Sequence, residues 1–441
     1  MTQKQGRFLT GSTMRHVTVM AMTASIGLTF MFLIDAASLF WVSRIGLEIN
    51  VAALGFAWTI QFFTVSVGIG LMIAAVALVS RSIGSGDRDL ARRQATSAMV
   101  ISFVMQAVMA LIVWLLREPI LVTAGAEGET LQIASRYLAI SLPALPLIAV
   151  GMVGSSILRA EGDAVRSMTV TIVAGVVAMV LDPLFIFGFG LGVDGAAIVV
   201  VISRLTTAVL SIWFIVKVHD LAARPSMVDM RKIVKPFFII AVPAVMTQLS
   251  TPFGNYIVTI FVSEYGDGAV AGWAVVSRLT VVAFGGIFAL SGAVGGIFGQ
   301  NYGAGLLDRV RSTYRDALLY CVIYVVLAWA VLFSLRGYVV DVFNLSPDGA
   351  EIVLAFTNLA AGGFIFTGML FVSNAAFNNL GRPLWSTLAN WSRDGVLMLP
   401  LCLLFGRWFY APGVVYAQAL AGVIVGTLAA LGAWRFVNRL T

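Results

Sequence analysis

Residues 94–116, QATSAMVISFVMQAVMALIVWLL, run for 23 positions with no charge, and residues 314–335 form a second run nearly as apolar. About 20 apolar residues suffice to cross the hydrocarbon core of a bilayer, so runs of this kind leave a chain few folds other than a helical bundle in a membrane. Twelve such segments can be read along the 441 residues, roughly 17–42, 51–79, 94–116, 131–157, 167–189, 193–216, 237–262, 269–298, 314–335, 351–377, 384–405 and 412–436. Composition agrees. The chain is 60% hydrophobic and 11% charged, against about 25% charged in ordinary soluble domains. The first apolar stretch carries Asp35 and lacks a small-x-small cleavage site, so it reads as a retained helix.

The net charge of +7 does not point to nucleic acid, because the basic residues sit in small groups between the apolar runs. With the N-terminus placed inside, 20 of the 28 Lys and Arg residues fall in cytoplasmic segments and 5 in outer ones; Arg204, Arg278 and Arg393 lie within spans. This bias predicts cytoplasmic termini. The expected fold is all-α and polytopic, with two repeated six-helix bundles around a central cavity.

The longest polar connection, residues 217–236, separates an N-terminal bundle (1–216) from a C-terminal one (237–441), and the two halves repeat. DAASLFWVSRIG (35–46) aligns with NYIVTIFVSEYG (255–266) at an offset of 220. RSIGSGDRDLARR (81–93) aligns with QNYGAGLLDRVRS (300–312) at 219. AEGDAVRS (160–167) aligns with NLGRPLWS (379–386) through Gly162/Gly381 and Ser167/Ser386. Six spans per half give both halves the same membrane orientation, a plan recurrent in transporters that alternate access to one site.

Charges inside a span are costly and so mark function. Asp35 and Asp182 both lie about seven residues, or about 10 Å, from the outer ends of outward-running helices. At matched depth the two acids can share a proton or a cation. Pro183 follows Asp182 at once; it removes a backbone donor and bends the helix beside the carboxylate. Arg204, in the sixth span, is an alternative, structural partner for Asp182. Arg393 and Asp394 read as a structural or gating pair. Tyr137, at the outer start of the fourth span, is a candidate cavity residue, and Arg278 is ambiguous between cavity and pairing.

Other function classes lack their marks. There is no phosphate-binding loop with Lys and Ser, no histidine cluster for a metal or haem, and no loop long enough for a soluble catalytic domain. Cys321 and Cys402 lie in apolar runs and read as buried thiols. No enzyme activity, cofactor or metal site is expected.

These motifs in this order resemble the multidrug and toxic compound extrusion (MATE) family: Asp35 with Gly46 beyond it, SRSIGSGDRDLARR, LRAEGDAVRS, LDPLFIFGFGLGVDGAA, GQNYGAG and NNLGRP. The resemblance covers nearly the whole chain. It implies a secondary antiporter in the inner (plasma) membrane that exports organic cations, drugs or other amphipathic small molecules against inward proton or sodium flow. The acid pair Asp35 and Asp182 is in the first half, the second half has no matching pair, and Asn255 stands where the repeat places Asp35, which resembles the DinF-like branch. Relatives with a first-half sodium site have Asn one turn before the fifth-span acid and Thr in the sixth span; here those positions hold Ala178 and Val200. Losing two neutral oxygens weakens a sodium site, since hard cations need several oxygen ligands. H+ is therefore the expected partner over Na+, in a monomer. A sodium-coupled exporter and a lipid or oligosaccharide flippase of the same superfamily are the alternatives.

Overall fold

The computed structural model describes residues 6–46 and 48–441, apart from the side chains of Asp35 and Glu48. It is helical throughout. Among the described residues fourteen α-helices follow in chain order: α1 (Thr13–Ser43), α2 (Glu48–Gly84), α3 (Arg88–Thr123), α4 (Gly128–Ser141), α5 (Leu145–Ala160), α6 (Ala164–Pro183), α7 (Gly192–Trp213), α8 (Met227–Ser263), α9 (Asp267–Gly303), α10 (Leu307–Val342), α11 (Pro347–Asn358), α12 (Phe364–Leu380), α13 (Pro383–Trp391) and α14 (Met398–Asn438). Among the described residues, eleven helical stretches are long and apolar enough to cross a membrane. One of them, Pro383–Asn438, is 56 residues long. At 1.5 Å per residue that is about 84 Å, enough for two crossings. It breaks at Tyr410, where φ is 54°. The segments expected at 384–405 and 412–436 are its two arms.

Several spans are interrupted where proline withdraws a backbone donor. Pro143 and Pro146 turn the end of α4 into a 3₁₀ turn at Leu142–Ala144. The indole Nε1 of Trp114 donates to the Ala139 carbonyl at 3.3 Å, the group one turn before Pro143. Pro183 ends α6, and a π turn follows over Leu184–Gly188.

The described residues divide into two compact units, one of residues 26–46 and 48–245 and one of residues 6–25 with 246–441. In the first unit, α5 packs on α7, α2 on α3, α3 on α5, and α6 on α7. One apolar cluster gathers Ala75, Val79, Ala95, Ile157, Ile215 and Phe237; a second gathers Ala57, Val113, Leu138, Ile186 and Ala197. The second unit is built the same way, with α12 against α14 and α9, and α9 against α11 and α10. The glycines aligned in the sequence repeat share a left-handed backbone: φ is 87° at Gly46 and 91° at Gly266, 80° at Gly86 and 70° at Gly305, 91° at Gly162 and 96° at Gly381. Only glycine adopts this conformation without strain, so the matched pairs close matched turns.

Each unit also anchors a segment that leads into a long helix. In the second unit Phe8 is buried ahead of α1, and Arg309 donates to the carbonyls of Phe8 (2.7 Å) and Gly11 (2.9 Å). In the first, the segment ahead of α8 is held: Arg88 donates to the His219 carbonyl at 2.5 Å, Arg92 to that of Asp220 at 2.7 Å, and the Thr96 hydroxyl to that of Ala223 at 3.2 Å.

Candidate functional site

Asp182 is 2% exposed in the last turn of α6. Proline at 183 cannot supply the N–H that the Met179 carbonyl would receive, so the helix cannot continue regularly. The backbone relaxes into a wider turn, in which the Phe189 N–H bonds five residues back to Leu184 at 2.9 Å. The loop closes through Gly190 and Gly192, at φ 67° and 56°. Gly195, in the first turn of α7, lets that helix come against the widened turn: a Cβ there would stand 2.7 Å from the Phe185 carbonyl oxygen. The carboxylate thus sits on a helix end whose hydrogen-bonding is already rearranged.

The hydroxyl of Ser38 on α1 stands beside the Asp182 carboxyl. Ser38 lies three residues past Asp35, about 4.5 Å along the axis. Farther along the same pair of helices, Trp41 meets Phe187 edge to face at 6.2 Å. Deeper in, the side chains of Ile34 and Phe30 fill the space that a Cβ at Gly175 would need. α1 and α6 are thereby in register, and the segment bearing Asp35 runs beside the one bearing Asp182. The side chain of Asp35 lies outside the described residues. Among the described residues no ion pair involves Asp182, although it is buried.

Arg204, 6% exposed on α7, has neutral acceptors among its partners. Its Nη1 donates to the Ser141 carbonyl at 2.7 Å, and its Nη2 to Gln61 Oε1 at 2.5 Å. The Ser141 carbonyl is open to it because the Leu145 N–H bonds to Leu142 in the 3₁₀ turn. Gln61 Nε2 donates in turn to Ser141 Oγ at 3.0 Å. Tyr137 is buried on α4 in the apolar cluster that includes Ile186 and Val193. Ala178, buried one turn before Asp182, and Val200 on α7 bring no side-chain oxygen.

In the second unit Asn255 and Arg278 are exposed on α8 and α9. Arg393 and Asp394 are both buried at the start of a π turn over Ser392–Leu397. They pair bidentately, Nε to Oδ1 at 2.7 Å and Nη2 to Oδ2 at 2.8 Å, and Ser250 Oγ donates to Oδ2 at 3.1 Å. Among the described residues no group of three His, Cys, Asp or Glu is placed to hold a metal ion.

The first unit therefore gathers Asp182, Pro183, Ser38 and the α1 backbone at Asp35 in one place, and Arg204 donates to Gln61 and to the Ser141 carbonyl. Ser38, Gln61 and Ser141 add to the residues singled out from sequence. Ser38 carries a signal in hindsight, since it stands three residues from Asp35 on the same helix. Gln61 is a lone amide in an apolar run. The role of the Ser141 carbonyl depends on a proline-broken turn and has no side-chain signature.

The sequence profile of the MatE family matches residues 23–184 and again residues 243–404, two copies at an offset of 220. The chain is 26% identical over 413 residues to an FAD transporter of Shewanella oneidensis, covering 92% of this chain and 91% of that protein. It is 23% identical over 398 residues to the multidrug export protein MepA of Staphylococcus aureus, covering 87% and 85%. Its fold superposes on a Vibrio cholerae MATE transporter with a TM-score of 0.92 at 23% identity, over 97% of both chains. A MOP superfamily transporter from Pyrococcus furiosus gives 0.91 at 21% identity, over 99% of both. With the family profile found twice over most of its length, this chain belongs to the MatE family and is a membrane transporter, not an enzyme.

Proposed function

We propose that the protein is a proton-coupled exporter of organic cations, drugs or related amphipathic compounds, working by alternating access in the inner (plasma) membrane with both termini cytoplasmic. The observation that carries the reading is Asp182: a buried carboxylate with the Ser38 hydroxyl beside it, engaged in no ion pair among the described residues, at a proline-widened helix end. A proton on that carboxyl removes a buried charge that no ion pair offsets among the described residues. Protonation from outside releases the grip on the ion's place at the α1–α6 seam, favours discharge of substrate outward, and lets the chain bend at Pro183 on its return.

The absence of oxygen-bearing side chains at Ala178 and Val200 supports proton over sodium, since a bare Na+ needs several oxygens to replace its water. Cargo follows from the relatives: one exports drugs by its name, and another carries FAD. A monomer with an N-terminal bundle over 1–216, a linker over 217–236 and a C-terminal bundle over 237–441 completes the proposal.

The test is efflux from proteoliposomes of purified protein, with a cationic dye and FAD as separate cargoes, under an imposed proton gradient and, separately, a sodium gradient at clamped pH. Efflux driven by the proton gradient and lost in Asp182→Asn is expected. Normal coupled efflux in that variant would remove Asp182 from the mechanism.

A further inference from the structure

The outward face of α8 changes chemistry along its length. Its inner face is fixed, since Ile233, Phe237, Ile240 and Ala241 are buried in the apolar cluster that holds Ala75, Ala95 and Ile157. On the other side Val228, Arg231, Lys232 and Lys235 are exposed, and so are Ile239 and Val242 beyond them. At 3.6 residues per turn these six fall in one sector about 100° wide, and the four buried residues fall in the opposite one. Ile239 and Val242 are 57% and 55% exposed. In a chain that crosses a bilayer, apolar side chains so exposed stand against lipid tails.

Arg231, Lys232 and Lys235 precede Ile239 on the same stripe by about 6–12 Å of helix axis. The polar layer of each leaflet is about 5–8 Å deep, and the long basic stems reach a few ångströms further. Three cations are thus set among the headgroups, directly over a strip that faces acyl chains. Among the described residues no ion pair includes any of the three; Asp220 pairs with Arg92, and Asp229 lies off the stripe. Their height is fixed as well. The segment ahead of α8 is tied down through the carbonyls of His219, Asp220 and Ala223, and Leu221 is buried.

The repeat shows that this cluster is not a general feature of such helices. At the offset of 220, Val19 and Met22 stand on α1 in the places of Ile239 and Val242, and both are exposed. The apolar stripe is therefore kept. The places of Arg231, Lys232 and Lys235 hold Gly11, Ser12 and Arg15, a single cation. Basic residues that only fix membrane orientation need no particular face. These have one, and of the two helices α8 alone carries it.

We propose that Arg231, Lys232 and Lys235 form a binding site for an anionic phospholipid, in the leaflet where α8 begins. The phosphodiester headgroup lies among the three cations, and an acyl chain runs along Ile239 and Val242. A guanidinium and two ammonium groups suit a phosphate, the first as a planar fork and the others as point charges. A zwitterionic headgroup brings its own ammonium, which the cluster repels, so net negative charge is what the site selects. A soluble phosphate would lack the apolar half of the contact. The site stands apart from the coupling acid and does not depend on which ion drives transport.

Wild type, the triple variant Arg231→Gln/Lys232→Gln/Lys235→Gln and a control, Arg435→Gln/Arg439→Gln, are purified in an uncharged detergent. Melting temperature is read with added phosphatidylglycerol, phosphatidylcholine, glycerol phosphate or FAD. Phosphatidylglycerol is expected to raise the wild-type value by about 2–4 °C more than phosphatidylcholine does. The triple variant loses that increment, the control keeps it, and glycerol phosphate does not reproduce it. If the triple variant does not fold, Lys235→Glu is compared in its place. Equal increments from the two lipids in the wild type, or the full increment in the triple variant, would overturn the site. An equal loss in the control would also overturn it, by showing that net charge acts wherever it lies. A rise with FAD that the triple substitution abolishes would overturn the lipid assignment and make the stripe a contact for an anionic soluble cargo.

Discussion

The two halves place an acid on corresponding helices and treat it in opposite ways. In the first, Asp182 on α6 has the Ser38 hydroxyl beside it and forms no ion pair among the described residues. In the second, Asp394, where α13 passes into a π turn, is neutralised by Arg393 and bonded by Ser250. The repeat makes the contrast sharper. At the offset set by Ser167 and Ser386, Asp394 corresponds to Gly175; at the offset of the first helices, Ile34 corresponds to Gly254. In the first unit the side chain of Ile34 lies on Gly175, and in the second the side chain of Asp394 lies on Gly254. One contact is kept and its large and small partners are exchanged. What a duplicated fold conserves here is the close approach of two helices. Which helix carries the filling side chain, and whether that side chain is charged, is free to differ.

The contrast breaks most forcefully at Arg393. Its replacement by leucine leaves Asp394 buried without its countercharge, a loss of about 3–5 kcal/mol in folding stability. Asp182→Asn replaces an acid that no cation holds among the described residues, and is expected to change stability by less than about 1 kcal/mol while abolishing coupled efflux. Thermal unfolding of both variants in detergent, beside the efflux assay, separates the two roles. Equal destabilisation would mean that Asp182 is as structural as Asp394.

The spans, the repeat and the acids were legible because membrane burial makes apolar length and isolated charge conspicuous. Sequence also reads correctly that Arg393 and Asp394 form a pair, since adjacent opposite charges in a span have few other partners. The clamp on Arg204 was not legible. It joins Gln61, Ser141 and Arg204, residues from three helices, through a carbonyl that a proline-broken turn sets free. A sequence shows that Arg204 needs partners, and Asp182 is the obvious one. The packing that brings the oxygens of Gln61 and Ser141 to it comes from tertiary structure. The break between α11 and α12, at Ala360–Gly363, was equally hidden within the apolar segment 351–377.

The shared contact itself can be tested by adding one methyl group to each half. At Gly254 a Cβ would stand 2.9 Å from both Cβ and Oδ1 of Asp394, whose side chain Arg393 and Ser250 hold in place. Gly254→Ala is expected to cost about 1–3 kcal/mol, as overpacking does where the neighbour cannot retreat. At Gly175 the nearest atom is the terminal Cδ1 of Ile34, at the far end of a flexible side chain. Gly175→Ala is expected to cost less, about 1 kcal/mol. Melting temperatures measured side by side decide it, and the reverse order would mean that the ion pair yields more readily than the isoleucine.

The smallest expected difference lies at the turns that precede these two helices. Asp163 caps α6, accepting from the Arg166 N–H at 3.1 Å, and Arg382 stands at the matching place before α13 without a side-chain cap. Burial raises the carboxyl pKa of Asp163, but the backbone and side chain of Arg166 and the ring of His219, whose Nε2 is 2.9 Å away, outweigh it and hold it below its ordinary value of 3.8. A carboxyl whose pKa is lower in the folded state contributes stability above its unfolded value, and that contribution disappears as pH falls through the folded one. The contribution is therefore complete at neutral pH and is lost only below about pH 4. Melting temperature followed downward through that range should fall less steeply in Asp163→Asn than in the wild type. The corner at Arg382 has no carboxyl to protonate, so Arg382→Gln should leave the acid limb unchanged. A flattened limb in Arg382→Gln, or an unaltered one in Asp163→Asn, would place the acid-labile contact elsewhere in the molecule.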